Sequence, residues 1–578
     1  MRSVMTTTSQ PTVRRFLAGA VSGMLTAAVA LGVAELAAAV TGSQGAPVIA
    51  VGETAINLTP IGVKDFAIAH FGSHDKEALI TGIVVMLIGF AALIGALAIR
   101  RIWFGLAGLV VFAGVGVAAA IHLPNATPVD AVPTLAGVAV AAAALVILVR
   151  SVWAAFPAAP HRAAGGLAVG GSGAGGPGVA GSSAGGPASP DAAAPPRDVL
   201  TPGPYLGDLD RAGSQEAQTA SAAPDRRRFL IAGAGAAALA AAAGAAGDKL
   251  LGRFSIASSR AEVKLPAPAV AAKTVPAATD FKIPGLTPFF TTNNSFYRVD
   301  TDLVLPQVSP ESWTLKIDGM VDRELELTFA ELLKMPLTEN DMTLVCVSNS
   351  VGGTYAGNAR WLGVPLAGLL RKAGVKAGVD QVLSAATDGM TISTPIQTIM
   401  DTQGALLAVG MNGQPLPIAH GFPARMLVPG LYGYVSATKW VTKLTVTTFA
   451  KQHAYWTQRG YTAQAPIKTE SRIDVPKPLA QVKAGHVTVA GMAWAPAKGI
   501  AAVEVNVDNG PWHQARLAAA DGIETWRQWM WDWDATTPGL HTLQVRATDN
   551  SGATQTSARA QIFPNGASGW DSTVVTVT

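Results

Sequence analysis

Four stretches of the chain, residues 16–40, 78–99, 102–121 and 132–149, are built mainly of Ala, Leu, Val, Ile, Gly and Phe, with Glu35 their one charged residue. At a rise of about 1.5 Å per residue each is long enough to cross a hydrocarbon core of about 30 Å. This feature limits the fold more than any other, because a single segment in lipid can satisfy its backbone groups only as a helix. It also accounts for a composition that is 49% hydrophobic and 14% charged, with a mean hydropathy of +0.32, too apolar for an ordinary soluble chain of 578 residues. If each run crosses once, Arg14-Arg15, Arg100-Arg101, Arg150 and Arg162 all fall on one side, the positive-inside pattern with a cytoplasmic N-terminus. The first run lacks a convincing small-residue cleavage end and is followed by further spans, so it reads as a membrane helix, not as a removed signal. Residues 46–72 are apolar but interrupted by Glu53, Asn57, Pro60, Lys64 and Asp65, and read as an exposed or interfacial loop. The arginines sit beside apolar runs and the net charge is only +4, which argues against nucleic acid as a partner. The spans carry no charged pairs at mid-depth, which argues against a transport unit.

Residues 156–224 are rich in Gly, Ala, Ser and Pro, a tract that buries too little apolar surface to offset its ordering entropy, and read as a disordered linker. At 225–250, Asp225-Arg-Arg-Arg-Phe-Leu precedes an Ala/Gly run, the pattern of a twin-arginine export signal placed internally. An ordinary fifth transmembrane helix with positive-inside arginines is the alternative, and both place the remainder of the chain outside the cytoplasm. Residues 251–280 are a Pro/Ala tether. From 281 to 452, short strand-like runs (SWTLKIDG, LELTF, WVTKLTVTTF) alternate with brief helical stretches, a mixed α+β domain. From 453 to 578, alternating strands at turn-bounded spacing (HVTVAGMAW, IAAVEVNVD, GLHTLQVRATD) predict an antiparallel β-sandwich. The alternating Trp526, Trp529, Trp531 and Trp533 fit core and interface better than a substrate surface.

Cys346 is the only cysteine of the chain, so no intrachain disulfide can form. It ends an apolar run, MTLVC, and precedes a glycine-rich turn. A lone cysteine is often a small buried hydrophobe, but its flanks point elsewhere. The segment CVSNSVGG from Cys346, followed by GNARWLGVPL from Gly357, resembles the cofactor loop of the sulfite oxidase family of molybdopterin enzymes. The resemblance extends to NNSFYRVD from Asn293, to MNGQPLPIAHGFPARMLVPGLYGYVSATKW from Met411 and to SRIDVP from Ser471, covering roughly the last 290 residues. The residue types agree independently, since a soft thiolate suits a sulfur-loving metal and glycines let backbone approach a bulky cofactor.

The resemblance implies a molybdenum–molybdopterin cofactor, with Cys346 as the protein ligand to the metal and two further sulfurs from the pterin dithiolene. It implies an immunoglobulin-like dimerisation domain at the C-terminus, and hence a homodimer. Cofactor contacts are expected from Asn293, Asn294 and Tyr297, from His420 and Arg425, and from Ser436, Thr438 and Lys439 at the phosphate, with Thr387 a further candidate and Arg425 also placed in catalysis. Arg360 is expected to buttress the loop, and Tyr432, Tyr434 and Arg298 to line the mouth. One departure stands out: sulfite-oxidising members commonly carry a basic residue shortly after the metal cysteine, whereas here Val347, Ser348, Asn349 and Ser350 come next, which puts sulfite as substrate in doubt.

The expected protein is thus multi-domain: an N-terminal α-helical membrane region over 1–155, an α+β molybdopterin-binding domain and a C-terminal immunoglobulin-like β-sandwich. The expected activity is two-electron oxygen-atom transfer on a small substrate by a multi-pass membrane protein with its catalytic domain on the extracytoplasmic side. A domain that receives its cofactor in the cytoplasm must cross the membrane folded, the cargo a twin-arginine signal serves. No CxxCH occurs and the spans lack paired histidines, so electrons are expected to pass to a separate carrier, a cytochrome or quinone. The alternatives are a sulfoxide (oxidised methionine) reductase of the same fold, and a cofactor-free membrane protein whose sandwich binds a partner.

Overall fold

The structure, a computed structural model, describes residues 10–41, 45–60, 62–63, 66, 75–123, 126–156, 222–253, 256–402 and 404–578. The tract read as a linker, with Arg162, lies almost wholly outside them. The first helices are α1 (Gln10–Thr41), α2 (Pro47–Leu58), α3 (Asp75–Ala98), α4 (Ile102–Ile121), α5 (Val132–Ala155) and α6 (Ala222–Arg253). Among the described residues, five of these, all but α2, are long and apolar enough to cross a membrane by length and composition. The loop expected over 46–72 is corrected in its first half: Pro47 sits in the first turn of α2, where its missing N–H costs nothing. At 12 residues, about 18 Å, α2 is too short to span.

The chain forms two compact units. The first comprises Met1–Ala30, Leu87–Val111 and Val138–Ala242. Its helices meet through small residues: a Cβ on Gly23 of α1 would overlap the Ala91 carbonyl and Gly95 of α3, and one on Gly95 would overlap Gly19 and Gly23. Such contacts let helix backbones approach closely where lipid offers no hydrophobic drive to associate. Gly23→Leu is expected to destabilise the helices by about 1–3 kcal/mol through overpacking, read as a lower melting temperature of the full-length protein in detergent. Gly82→Leu, at a glycine that faces open space, should leave it unchanged.

The second unit comprises Leu31–Met86, Phe112–Gly137 and Ala243–Thr578. Its strands begin with β1 (Thr314–Gly319), β2 (Leu325–Thr328), β3 (Thr338–Val345), β4 (Ala356–Pro365), β5 (Gln381–Ala386), β6 (Thr391–Pro395), β7 (Leu406–Met411), β8 (Gln414–Pro415), β9 (Arg425–Leu427) and β10 (Val441–Thr447). One sheet has the order β2-β1-β10-β5-β6, with β1 and β10 parallel and the other pairs antiparallel. The other runs β3-β4-β7-β8, with β9 also on β7. Short helices return the chain between strands. Phe329–Leu333 starts at a capping box, Thr328 with Glu331, and Leu366–Ala373 stops at Gly374, whose φ of +75° a side chain would strain. Core residues such as Trp313, Leu315, Ile317, Leu332 and Leu366 are 2% exposed or less, each stabilising by about 1.5–3 kcal/mol.

The C-terminal region is β-rich: β11 (Glu470–Val475), β12 (Gln481–Val482), β13 (Gly485–Trp494), β14 (Ile500–Val507), β15 (His513–Gln514), β16 (Arg516–Leu517), β17 (Arg527–Ala535), β18 (Gly539–Asp549) and β19 (Asp571–Val577). These form two sheets, β11-β13-β17-β16 and β12-β19-β18-β14-β15. Val489 and Trp529 of the first pack with Val503, Leu543 and Val575 of the second in one buried cluster. Trp526, Trp529 and Trp533 are buried, in keeping with a core role.

Candidate functional site

The strand β3 delivers Cys346 at its end, and Cys346 is only 9% exposed. The chain then turns back into β4 through residues 347–355, closed by its own backbone. Cys346 N–H donates to Tyr355 O at 2.9 Å, Asn349 N–H to Cys346 O at 3.0 Å and Gly353 N–H to Ser350 O at 2.8 Å. The Asn349 side-chain oxygen accepts Tyr355 N–H at 2.8 Å. Gly352 adopts φ +75° and lies so close to the Asp571 carboxylate that a Cβ would overlap it, so glycine is required there on two counts. Ser348 N–H points at Cys346 Sγ, 3.4 Å away. Burial pushes the thiol up, while the Ser348 hydrogen bond and Lys439 pull it back toward the thiolate.

Residues 411–440 bring the cations. Arg425, 5% exposed, heads β9, donates from Nη1 to His420 O at 3.1 Å and lies 5.2 Å from the Trp361 ring centre. Its Nε is buried without a partner. Burial lowers the guanidinium to about 10, opposed by Tyr297. Burial pushes Tyr297 well above the usual phenol range, with Cys346 adding to the push and Arg425 opposing it, so Tyr297 lies within electrostatic reach of both. Lys439 donates to Asp300 Oδ2 at 2.7 Å and is lowered to about 8, chiefly by burial, with Asp300 opposing. Asp300 also accepts Lys76 at 2.5 Å and Arg298 at 2.7 Å. Against the upward push of burial, Lys439, Arg298 and Lys76 hold its carboxyl well below the usual range.

His420, 5% exposed, meets Asn293 O through Nε2 at 3.0 Å, and is lowered to about 4 by burial and then by Arg425. Its folded value lies below its unfolded one, so between about 6.5 and about 4 the unfolded chain binds more protons and stability falls as pH falls. Replacing His420 with Gln is expected to flatten that slope in the cofactor-free protein, as read by denaturation midpoints across the window.

The structure thus gathers Cys346, Tyr297, His420, Arg425 and Lys439, with Asn293 held beside them by Asn412 Nδ2 at 2.9 Å. Asn294 is exposed. Thr387 Oγ1 donates to Trp440 O at 3.2 Å. Ser436 Oγ donates to Leu431 O and Tyr432 O, and Thr438 Oγ1 meets Ser384 Oγ at 2.6 Å, so these hydroxyls shape the turn before Lys439. Tyr432 and Tyr434 are 3% and 9% exposed, Tyr432 within electrostatic reach of Cys346 and Tyr434 donating to Thr462 O. Arg298, expected at the mouth, is committed to Asp300 through two nitrogens. Arg360 pairs with Asp341 of β3 through two nitrogens at 2.8 and 2.7 Å, a cross-strand buttress. Asp300, Arg472 and Asp571 carry no local signal that marks them in the sequence, although Asp300 falls inside NNSFYRVD and Arg472 inside SRIDVP.

A buried thiol with an N–H aimed at its sulfur and a buried lysine within electrostatic reach, joined through Tyr297 to a buried arginine with an unpartnered nitrogen, fits an anionic, metal-bearing group held through sulfur. The Oxidoreductase molybdopterin binding domain family matches residues 302–456. The chain belongs to this class, the sulfite oxidase family of molybdopterin oxidoreductases, whose cofactor is molybdenum–molybdopterin, and the cofactor-free reading is set aside. Among its relatives, the uncharacterized oxidoreductase YuiH of Bacillus subtilis is 33% identical over 149 residues, 26% of this chain and 72% of that one. Mitochondrial sulfite oxidase of Macaca fascicularis is 29% identical over 293 residues, 43% of this chain and 52% of that protein. The chain therefore spans about half the length of the sulfite oxidases it matches. The crystal structure of the sulfane dehydrogenase SoxCD from Paracoccus pantotrophus aligns with a TM-score of 0.45 at 24% identity, covering 50% of this chain and 84% of that one.

Proposed function

We propose that the protein is a membrane-anchored oxidoreductase that performs two-electron oxygen-atom transfer on a small substrate outside the cytoplasm. The observation that carries this reading is the buried Cys346 thiol, with Ser348 N–H on its sulfur, Lys439 within electrostatic reach, and Tyr297 within reach of both the thiol and the buried Arg425. When bound, molybdenum–molybdopterin supplies the redox chemistry. The chain's own residues bind and tune. Cys346 would hold the metal as its thiolate, and the Ser348 N–H donated to the sulfur would withdraw charge from it. Arg425 Nε and Lys439 Nζ would hold anionic parts of the cofactor, with Asn293, His420 and Tyr297 beside them, and Ser436 and Thr438 hold the backbone turn that presents Lys439. Asn294 and Thr387 would add contacts at the edge of the cofactor. The domain division tracks the composition shifts: helices over 1–155, a linker to 224, a fifth span with a twin-arginine-like start over 225–250, a tether to 280, catalytic residues 281–452 and an immunoglobulin-like dimerisation region from 453. Electrons leave to a cytochrome or quinone, for which the spans are anchor or docking surface.

A second reading, reduction of sulfoxides such as oxidised methionine, is favoured by one observation: no cation occurs from Val347 through Ser350, and Arg298 is tied to Asp300. The two are separated by assaying the full-length protein in detergent for sulfite oxidation with ferricyanide and for methionine sulfoxide reduction with reduced viologen. Turnover in the first assay alone supports an anionic substrate, and turnover in the second alone supports the neutral one. A protein free of molybdenum and pterin overturns both.

A further inference from the structure

We propose that Arg472, on β11 of the C-terminal region, is a positioning residue that sets the Cys346 turn. Arg472 is 4% exposed, and all three of its nitrogens are engaged. Nε donates to Asp474 Oδ1 at 2.9 Å and Nη2 to Thr287 Oγ1 at 2.9 Å, while Asp474 Oδ2 accepts Thr287 N–H at 3.1 Å. Those contacts close on themselves and hold the guanidinium rigid. The remaining nitrogen, Nη1, reaches out to Gly353 O at 2.9 Å, across a sequence separation of 119.

Gly353 is where the turn after Cys346 can be gripped. Its N–H already closes on Ser350 O, and fixing its carbonyl fixes the link into Tyr355, whose carbonyl holds Cys346 N–H. The residue next to Arg472 adds a second grip: Ile473 N–H donates to Asp571 Oδ2 at 2.8 Å, and the same carboxylate occupies the space beside Gly352. The strand leading into Cys346 is held from the same side. Thr343 N–H donates to Glu524 O at 2.9 Å, and Thr343 Oγ1 accepts Trp526 N–H at 2.8 Å. The thiol is therefore bracketed, three residues before and seven after, by the C-terminal region. An arginine that served only as filler in that region would be complete with Asp474 and Thr287. The bond to Gly353 is what sets the cysteine turn, and hence how the sulfur meets a metal.

The consequence for catalysis rests on the reading of Cys346 as the metal ligand, but the test reads the thiol itself. Full-length protein from cells grown without molybdate carries one cysteine, so its alkylation rate by N-ethylmaleimide reports Cys346 alone. Arg472→Met is expected to raise that rate about tenfold, the factor in local opening that losing a hydrogen bond from a charged group gives. Arg472→Lys, which keeps charge but can reach fewer acceptors, should fall between. Leu543→Ala, in the core away from the turn, controls for general loss of stability. A rate in Arg472→Met equal to wild type, or raised no more than in Leu543→Ala at matched stability, overturns the proposal. Should Arg472→Met not fold, Thr287→Val removes one anchor of the guanidinium without stranding a charge, and no rise there overturns it equally. The ligand reading fails separately: a metal centre unchanged in Cys346→Ser refutes that assignment whatever the alkylation shows.

Discussion

Cys346→Ser is expected to lower turnover by more than about 100-fold at matched cofactor loading, since even outer partners of a metal ligand cost 10–100-fold when removed. Serine preserves the size of the side chain and can still accept the Ser348 N–H. Its hydroxyl, however, ionises far less readily than a thiol, and the burial that already pushes Cys346 up would disfavour an alkoxide more strongly. A hard oxygen also suits this metal less well than soft sulfur. The fold should tolerate the change, because the turn is closed by backbone hydrogen bonds that do not involve Sγ, so the melting temperature should stay close to that of the wild type. Steady-state rates with an artificial acceptor check this, and a variant within tenfold of wild type would contradict it.

The largest effect on stability is expected from Asp300→Asn. One carboxylate, 3% exposed, answers Lys439, Lys76 and Arg298. Arg298 is 40% exposed and contributes little. Lys439 is 12% exposed and has Arg425 and Arg298 for neighbours, so in the cofactor-free protein losing Asp300 strips this buried charge of its ion-pair partner. Breaking such a pair costs about 3–5 kcal/mol, measurable as a lower denaturation midpoint of the full-length protein. The pH dependence has a definite sign. Lys439 is lowered to about 8 in the fold, so the unfolded chain binds more protons above that value and stability rises with pH there. In the variant the lysine falls further, and the rise should begin at lower pH. A variant with wild-type stability and pH profile would refute the charge node.

How legible each feature is in the sequence depends on how far apart the interacting residues lie. The long apolar runs are local patterns, and α1, α3, α4, α5 and α6 fall where hydropathy places them. The end of β3 at Val345 is set by the run MTLVC meeting a glycine turn. The helix α2 is hidden because charged and polar residues interrupt its apolar pattern, and one of them, Glu53, is raised to about 7, mainly by burial and then by Asp388, a surrounding no local pattern reveals. Asp300 meets Lys439 across 139 residues, and Arg472 meets Gly353 across 119. Aromatic residues beside a motif do not show which way they turn: Tyr434 donates to Thr462 O and the Tyr432 hydroxyl lies against Gly566, contacts that no local pattern reveals.

The most direct test of the central claim is X-ray absorption at the molybdenum edge on the full-length protein, wild type and Cys346→Ser, with pterin content measured on the same samples. The account predicts equal molybdenum and pterin in the wild type and one sulfur fewer around the metal in the variant. The same sulfur count in both proteins, or a folded wild type without molybdenum, would contradict it.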